Sequence, residues 1–333
     1  MYMKLRVVHI RIILLQQTIK VYVVHVQMKR EIQNRFLLSN IQVLIVVILQ
    51  NQFQMQNVVV DMNLVTVSNI CKRNGVFMER QWHIIPEYEN IEKTLDLAKK
   101  YNAAFEYNDF FRPAIFENED VLEERINFYK NLDRDKSKDT LHGIFLDLCI
   151  ASQDTTIREY SKKRIVQSME IGDRLGVKGV IFHTGLIGGL TVDYYINGWV
   201  NAAVQIFTEL AKKYPHMMIY LENSFEFSPD AFLKLMERVK DVPNVRICLD
   251  YGHAALTLTH LEDWVRQLAP YIAHMHVNDH DLKADLHLAP GEGQIDFGYF
   301  KELMERYNVN VSTLLEVNGI ERQAKALEFM SLL

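Results

Sequence analysis

The chain has 333 residues, 49% hydrophobic and 24% charged, enough apolar side chains for a large core and too many for global disorder. A net charge of -5 argues against a general coat for polyanions, while leaving room for a local basic patch. Cys71, Cys149 and Cys248 cannot all pair and show no CxxC spacing, and no secretory leader pattern opens the chain, so a reduced, cytoplasmic setting is expected.

Residues 1–77 differ in composition from the rest. They hold no proline, one glycine (Gly75), 24 Val or Ile, nine Gln, and nine Lys or Arg against only Glu31 and Asp61. That segment carries about +7, and residues 78–333, with 28 basic and 40 acidic residues, carry about -12. So few turn formers make a compact fold hard to build. The apolar run 36–49 is 14 residues long and contains Ser, Asn and Gln. A membrane span needs about 20 residues, so the run is a weak candidate for one and no clear membrane partner is expected, with a membrane-associated extension as the alternative reading. Residues 1–77 read as an N-terminal extension of uncertain structure, disordered or outside the native domain, with Met78 as the natural start.

From Met78 onward β-branched or aromatic runs alternate with amphipathic segments. The strands are expected at 81–85, 103–107, 140–146, 178–183, 217–222, 245–250, 272–277 and 312–317. Helices are expected at 89–101, 119–131, 156–175, 192–213, 229–239, 259–268, 298–306 and 320–332. Asp193 and Asp230 sit where a carboxylate caps a helix start, and Pro215, Pro243 and Pro270 sit where a helix must stop. Eight βα units in 256 residues predict an α/β fold of the (β/α)8 barrel type. No glycine-rich phosphate turn follows the first strand, which counts against an open doubly wound sheet.

A barrel places its chemistry at the C-terminal ends of the strands. There the sequence offers His142 (TLHG), His183 (FHTG), Glu222 (LEN), Asp250 and His253 (LDYGH), His276 (MHVND), Asp285 and His287 (DLHLAPGEG) and Glu316 (LLEV). Each has a plain structural alternative: a buried hydrogen-bonded His, a turn cap, an ion-paired carboxylate, a solvated lid. Together, five imidazoles and four carboxylates on one rim would strand one another without a cation, and that ligand set suits zinc, manganese or iron rather than calcium. Asp285 and His287, two apart, would share a face if their loop is extended. Asp250 and His253 would serve adjacent ions across a Tyr-Gly turn. His274 is expected inward, one layer below His276. Glu106, Asn108 and Asn223 are expected to contact substrate.

The ordered set FHTG, LEN, LDYGH, MHVND, DLHLAPGEG and LLEV resembles the xylose isomerase-like TIM-barrel superfamily, which includes endonuclease IV (AP endonuclease family 2) and many sugar phosphate isomerases and epimerases. The resemblance covers about residues 78–333 and none of 1–77. Its endonuclease IV branch implies three zinc ions and phosphodiester hydrolysis. His142, His183 and Glu222 would hold the first ion, Glu222 would bridge to a second with Asp250, His276 and Glu316, and His253, Asp285 and His287 would hold the third. Its isomerase branch implies one divalent ion, zinc, manganese or cobalt, on Glu222, Asp250, His276 and Glu316, with both glutamates moving protons.

The acidic barrel would repel DNA, and Lys283 is the only Lys or Arg in 278–296. The short form ending PGEGQIDF also looks most like the isomerase and epimerase members. The expected function is therefore a metal-dependent isomerase or epimerase of carbohydrate metabolism, acting on a sugar or sugar phosphate. The alternatives are a zinc phosphodiesterase or phosphatase, an AP endonuclease included, and a non-catalytic metal- or sugar-binding barrel. Nothing in the sequence sets an oligomeric state.

Overall fold

The computed structural model describes residues 80–145, 148–224 and 226–333, together with the backbone of four strands before them. The chain divides into two units, Met1–Phe77 and Met78–Leu333. In the first, strands β1 (Met3–Leu14), β2 (Gln17–Met28), β3 (Leu44–Ile48) and β4 (Val58–Val59) form an antiparallel sheet in that order. The apolar run 36–49 lies outside the described residues except for β3.

In the second unit the eight expected apolar runs become parallel strands. They are β5 (Trp82–Ile84), β6 (Ala104–Tyr107), β7 (Thr140–His142), β8 (Gly179–His183), β9 (Met218–Glu222), β10 (Val245–Asp250), β11 (Ile272–Val277) and β12 (Ser312–Leu315). They close a barrel in chain order, and β12 returns to β5 through Thr313↔Trp82 and Leu314↔His83. Short runs suffice because each strand is covered on both faces, by its neighbours inside the barrel and by helices outside.

The eight covering helices match the expected segments to within a few residues, from Ile91–Tyr101 to Ile320–Ser331. Leu261–Leu268 illustrates the cause: Trp264, Val265 and Leu268 pack inward while Glu262, Asp263 and Arg266 fall on the other faces. Burying each such apolar side chain is worth about 1.5–3 kcal/mol, so the pattern decides which face turns in.

Three local expectations change. Asp193 and Asp230 are first-turn residues without capping hydrogen bonds; Val192 and Pro229 occupy the cap positions, and Asp193 pairs with Lys234 at 3.1 Å. Pro113–Phe116 and Tyr251–Ala255 are short helices inside loops, too brief for a periodic signal. Strand β7 ends at His142 rather than running to 146. Gly143 follows so close to the next strand that a Cβ there would lie 2.6 Å from the Phe182 ring, and this sets His142 at the rim instead of in mid-strand.

Among the described residues, no helix is long and apolar enough to cross a membrane. Cys149 and Cys248 are free thiols, and Cys71 lies outside the described residues.

Candidate functional site

Strand register brings the rim together. His183 is paired with Glu222 across β8 and β9, and Asp250 with His276 across β10 and β11. Two residues earlier on the same inward faces lie Ile181, Tyr220, Cys248 and His274, a fully buried layer beneath the site.

Glu222 is the hub. Its Oε2 lies 3.3 Å from His142 Nε2 and 3.2 Å from His183 Nε2, and its Oε1 lies 3.0 Å from His276 Nδ1. Glu316 Oε2 approaches the same His276 nitrogen at 3.5 Å. A third group closes nearby: Asp285 Oδ2 lies 3.2 Å from His253 Nε2 and 3.0 Å from His287 Nε2. Asp250 joins the two sides. Its Oδ1 accepts from the His253 amide at 2.6 Å, capping the helix Tyr251–Ala255, and its Oδ2 stands 3.6 Å from His253 Nδ1. All nine expected rim residues therefore converge. His142, His183 and Glu222 form one triad with ligand-capable atoms within 4.8 Å of one another, and His253, Asp285 and His287 form another.

The far nitrogens of the imidazoles decide which atoms face inward. A carbonyl can only accept, so Nδ1–H donates from His142 to Gly143 O (3.0 Å), from His253 to Asn223 O (2.8 Å) and from His287 to Glu316 O (3.0 Å). Each leaves Nε2 aimed at a carboxylate, the nitrogen that a cation would take as ligand once its proton leaves. Among the described residues, Glu222 Oε2 and Glu316 Oε2 are buried without a hydrogen-bond partner. Such atoms are costly unless a cation meets them, so the residues present fit divalent ions.

Protons do that balancing in the metal-free protein. Burial pushes Glu222 up, but His276 and His183 outweigh it and hold the carboxyl well below the usual range. Burial lowers His287, yet its bond to Asp285 and the charge of Glu316 raise it to about 10. Burial lifts Asp250 to about 7 despite His253.

The Asp285–His287 loop is not extended, yet the two side chains meet at 3.0 Å. His287 has φ 46°, in the left-handed region that costs a non-glycine residue about 1–2 kcal/mol. Its bonds to Glu316 and Asp285 hold it there. The loop hangs from Asp279, a fully buried carboxylate whose oxygens accept from the amides of His280, Gly291, Gly293 and Ile295 at 2.7–3.0 Å. A Cβ at Gly293 would sit 2.3 Å from Asp279 Oδ1, so PGEG is the part that lets the backbone wrap this carboxylate. The MHVND and PGEG motifs carried this signal, but nothing in one sequence pairs them.

Two of the three residues expected to contact substrate have their polar atoms engaged within the protein. Glu106 is fully buried beneath the rim, with Oε1 2.9 Å from His276 Nε2 and Oε2 accepting from Thr140 and His274. Asn223 uses its side-chain amide on the backbone N–H and C=O of Asp250, both at 2.9 Å. Asn108 does line the cavity, and its buried Oδ1 has no protein partner.

That cavity, about 820 Å3, opens above His142, His183, His253 and His287. Its wall includes Phe111 and Phe145, whose rings lie 4.7 Å apart, with Phe145 also 5.0 Å from both His142 and His183. Arg125 is bound by Asp109, while Arg112 is exposed at the cavity and pairs with no carboxylate among the described residues. Sequence reasoning missed this wall, because isolated Phe and Arg residues in a loop carry no pattern.

A model of the xylose isomerase-like TIM barrel family matches residues 88–332. The chain belongs to that family. An uncharacterized protein of Methanocaldococcus jannaschii is 24% identical over 232 residues, covering 64% of this chain and 88% of that one. A probable endonuclease 4 of Aquifex aeolicus is 24% identical over 199 residues, covering 54% of this chain and 69% of that one. Among solved structures, a Thermus thermophilus protein soaked with ZnCl2 superposes with TM-score 0.61 at 21% identity, covering 76% of this chain and 97% of that one. A D-tagatose 3-epimerase-like protein does so with TM-score 0.59 at 21% identity, covering 76% and 96%. At that identity the likeness carries the fold and leaves the reaction to the site.

Proposed function

We propose that the barrel is a divalent-metal enzyme that hydrolyses a small phosphoester, with its nine rim residues holding up to three ions. The reading rests on one observation: Glu222, wholly buried, presents Oε2 to His142 and His183 and Oε1 to His276. A carboxylate whose two oxygens face two separate imidazole sets is built to bridge, and a bridging carboxylate has no oxygen left to move a substrate proton. His142, His183 and Glu222 would hold one ion, Glu222, Asp250, His276 and Glu316 a second, and His253, Asp285 and His287 a third. Such ions supply positive charge to phosphoryl oxygens and make water acidic enough to serve as nucleophile near neutral pH.

The chain's own groups do the rest. The Phe111–Phe145 wall excludes water from one side of the cavity. Arg112 and Asn108 offer a cation and an amide to the anionic or hydroxylated part of the substrate. The net -12 of residues 78–333 disfavours duplex DNA and favours a small ester.

The sugar isomerase or epimerase reading stands second, for one reason. The four-residue set Glu222, Asp250, His276 and Glu316 is complete by itself, with both glutamates near His276 Nδ1 at 3.0 and 3.5 Å. Zinc counting on the purified chain, followed by turnover of small phosphate monoesters and diesters, separates the two. Three ions with phosphate release support hydrolysis. One ion, with solvent deuterium entering a ketose C–H, supports isomerisation. No turnover of either kind leaves a binding barrel.

A further inference from the structure

The barrel's interior carries a polar chain that the rim does not explain. Ser312 Oγ lies 2.7 Å from His274 Nδ1, and His274 Nε2 lies 3.0 Å from Glu106 Oε2. Thr140 Oγ1 donates to that same oxygen at 2.7 Å, and Glu106 Oε1 stands 2.9 Å from His276 Nε2. Glu106, Thr140, His274 and His276 are all fully buried.

Among the described residues Glu106 Oε1 and His276 Nε2 are both buried with no formed hydrogen bond, and at 2.9 Å each is the atom placed to satisfy the other. A carboxylate only accepts, so both imidazoles must present Nε2–H to it. His274 Nδ1 is then a lone pair, and Ser312 must donate to it. In the metal-free protein His276 Nδ1 carries a proton toward Glu222 Oε1 at 3.0 Å, and with Nε2–H held by Glu106 it is this Nδ1 proton that a cation would displace. The opposite tautomer would keep an N–H in the position a cation must share with Glu222 and Glu316.

We propose that Glu106 is a positioning residue that sets the tautomer of His276, with His274 and Ser312 setting Glu106 in turn, so that His276 meets the cation through Nδ1. This rests on the metal-centre reading above. It assigns a role to a residue that touches neither metal nor substrate. Removing such an outer partner weakens metal binding about 10–100-fold in comparable sites.

The chain makes an unusual demand on its variants. Glu106→Leu removes the acceptor outright. Glu106→Gln does not, because its oxygen can turn to His276 while its NH2 faces His274. His274 then shifts its proton to Nδ1 and donates to Ser312 Oγ, while the Thr140 hydroxyl turns from donor to acceptor. The amide is tolerated only while Ser312 can reverse its role.

The test uses the full chain and zinc alone, with affinities from competition with a chelator of known strength and the bound ions counted by elemental mass spectrometry. E106L should weaken one ion about 10–100-fold while the others stay, which also shows that the barrel has folded. E106Q should lose less than about tenfold, S312A should stay near wild type, and the E106Q/S312A pair should fall to the E106L range. In the zinc-loaded wild type, nitrogen-15 histidine spectra should show His276 protonated at Nε2. If E106L fails to fold, the E106Q/S312A comparison and the wild-type spectrum decide alone. An E106L that keeps every ion at wild-type affinity, a pair no worse than E106Q, or a His276 protonated at Nδ1 overturns the proposal. A wild type that takes a single ion overturns the phosphoester reading instead, since His276 serves that ion too and E106L must then weaken it. A wild type that takes no ion overturns both.

Discussion

Glu222 concentrates the chemistry of the site, because one buried carboxylate meets three imidazoles. Glu222→Gln keeps the shape and removes the charge. It should cut turnover at least about 100-fold and lower the zinc count, since a neutral amide cannot balance two cations. Elemental analysis beside a phosphate-release assay reads both effects, and full metal with full activity would remove the site model. The imidazoles make a second prediction, for the metal-free protein. His287, raised from 6.5 to about 10, contributes stability that is complete below pH 6.5 and is lost as pH climbs through about 10. Asp250, lifted to about 7, acts in the same direction, losing its contribution as pH rises from 3.8 to about 7. Urea unfolding in chelator should therefore show stability falling from pH 6.5 to 9.5, and zinc should restore more of it at the upper end. At this scale the sequence was informative about the nine rim residues, because residue type and strand-end position mark them. It did not show how Glu106 and Asn223 are engaged. Both also sit at strand ends, and only the packed barrel shows that their polar atoms are already used below the rim and along the backbone.

The strands and helices were largely legible, because a strand buried on both faces and a helix buried on one leave different periodicities. Boundaries failed where a contact with a distant element decided them, as at Gly143 against Phe182. The loop after β11 is the element with most at stake. Asp285 and His287 depend on four amide bonds to Asp279, so Asp279→Asn, which leaves one oxygen for them, should cost about 2–3 kcal/mol. It should also loosen the ion held by the Asp285 triad. Gly293→Ala should act in the same direction, because its Cβ would lie 2.3 Å from Asp279 Oδ1 and 2.5 Å from His280 O. Denaturation curves and zinc titrations of both variants check this; wild-type values in both would mean the loop holds itself by other contacts.

The whole chain is two units of opposite charge, about +7 for residues 1–77 and -12 for 78–333. Residues 78–333 close their own barrel and contain every residue of the candidate site, so they should fold alone with the zinc content of the full chain. Expression of that segment, with circular dichroism and elemental analysis, tests it; a segment that is unfolded or metal-poor would give the N-terminal unit a structural part. What the sequence determined by itself was the alternation of strands and helices, hence the barrel, and the rim on which chemistry falls. Periodicity and residue type are local properties, and they survive in one dimension. What only the tertiary structure decided was which atoms of those residues face one another. It made Glu222 a hub, placed Asp279 beneath the PGEG turn and put Glu106 behind His276. Those pairings join residues 12 to 170 positions apart, and the folded loop after β11 and the closed barrel bring them together.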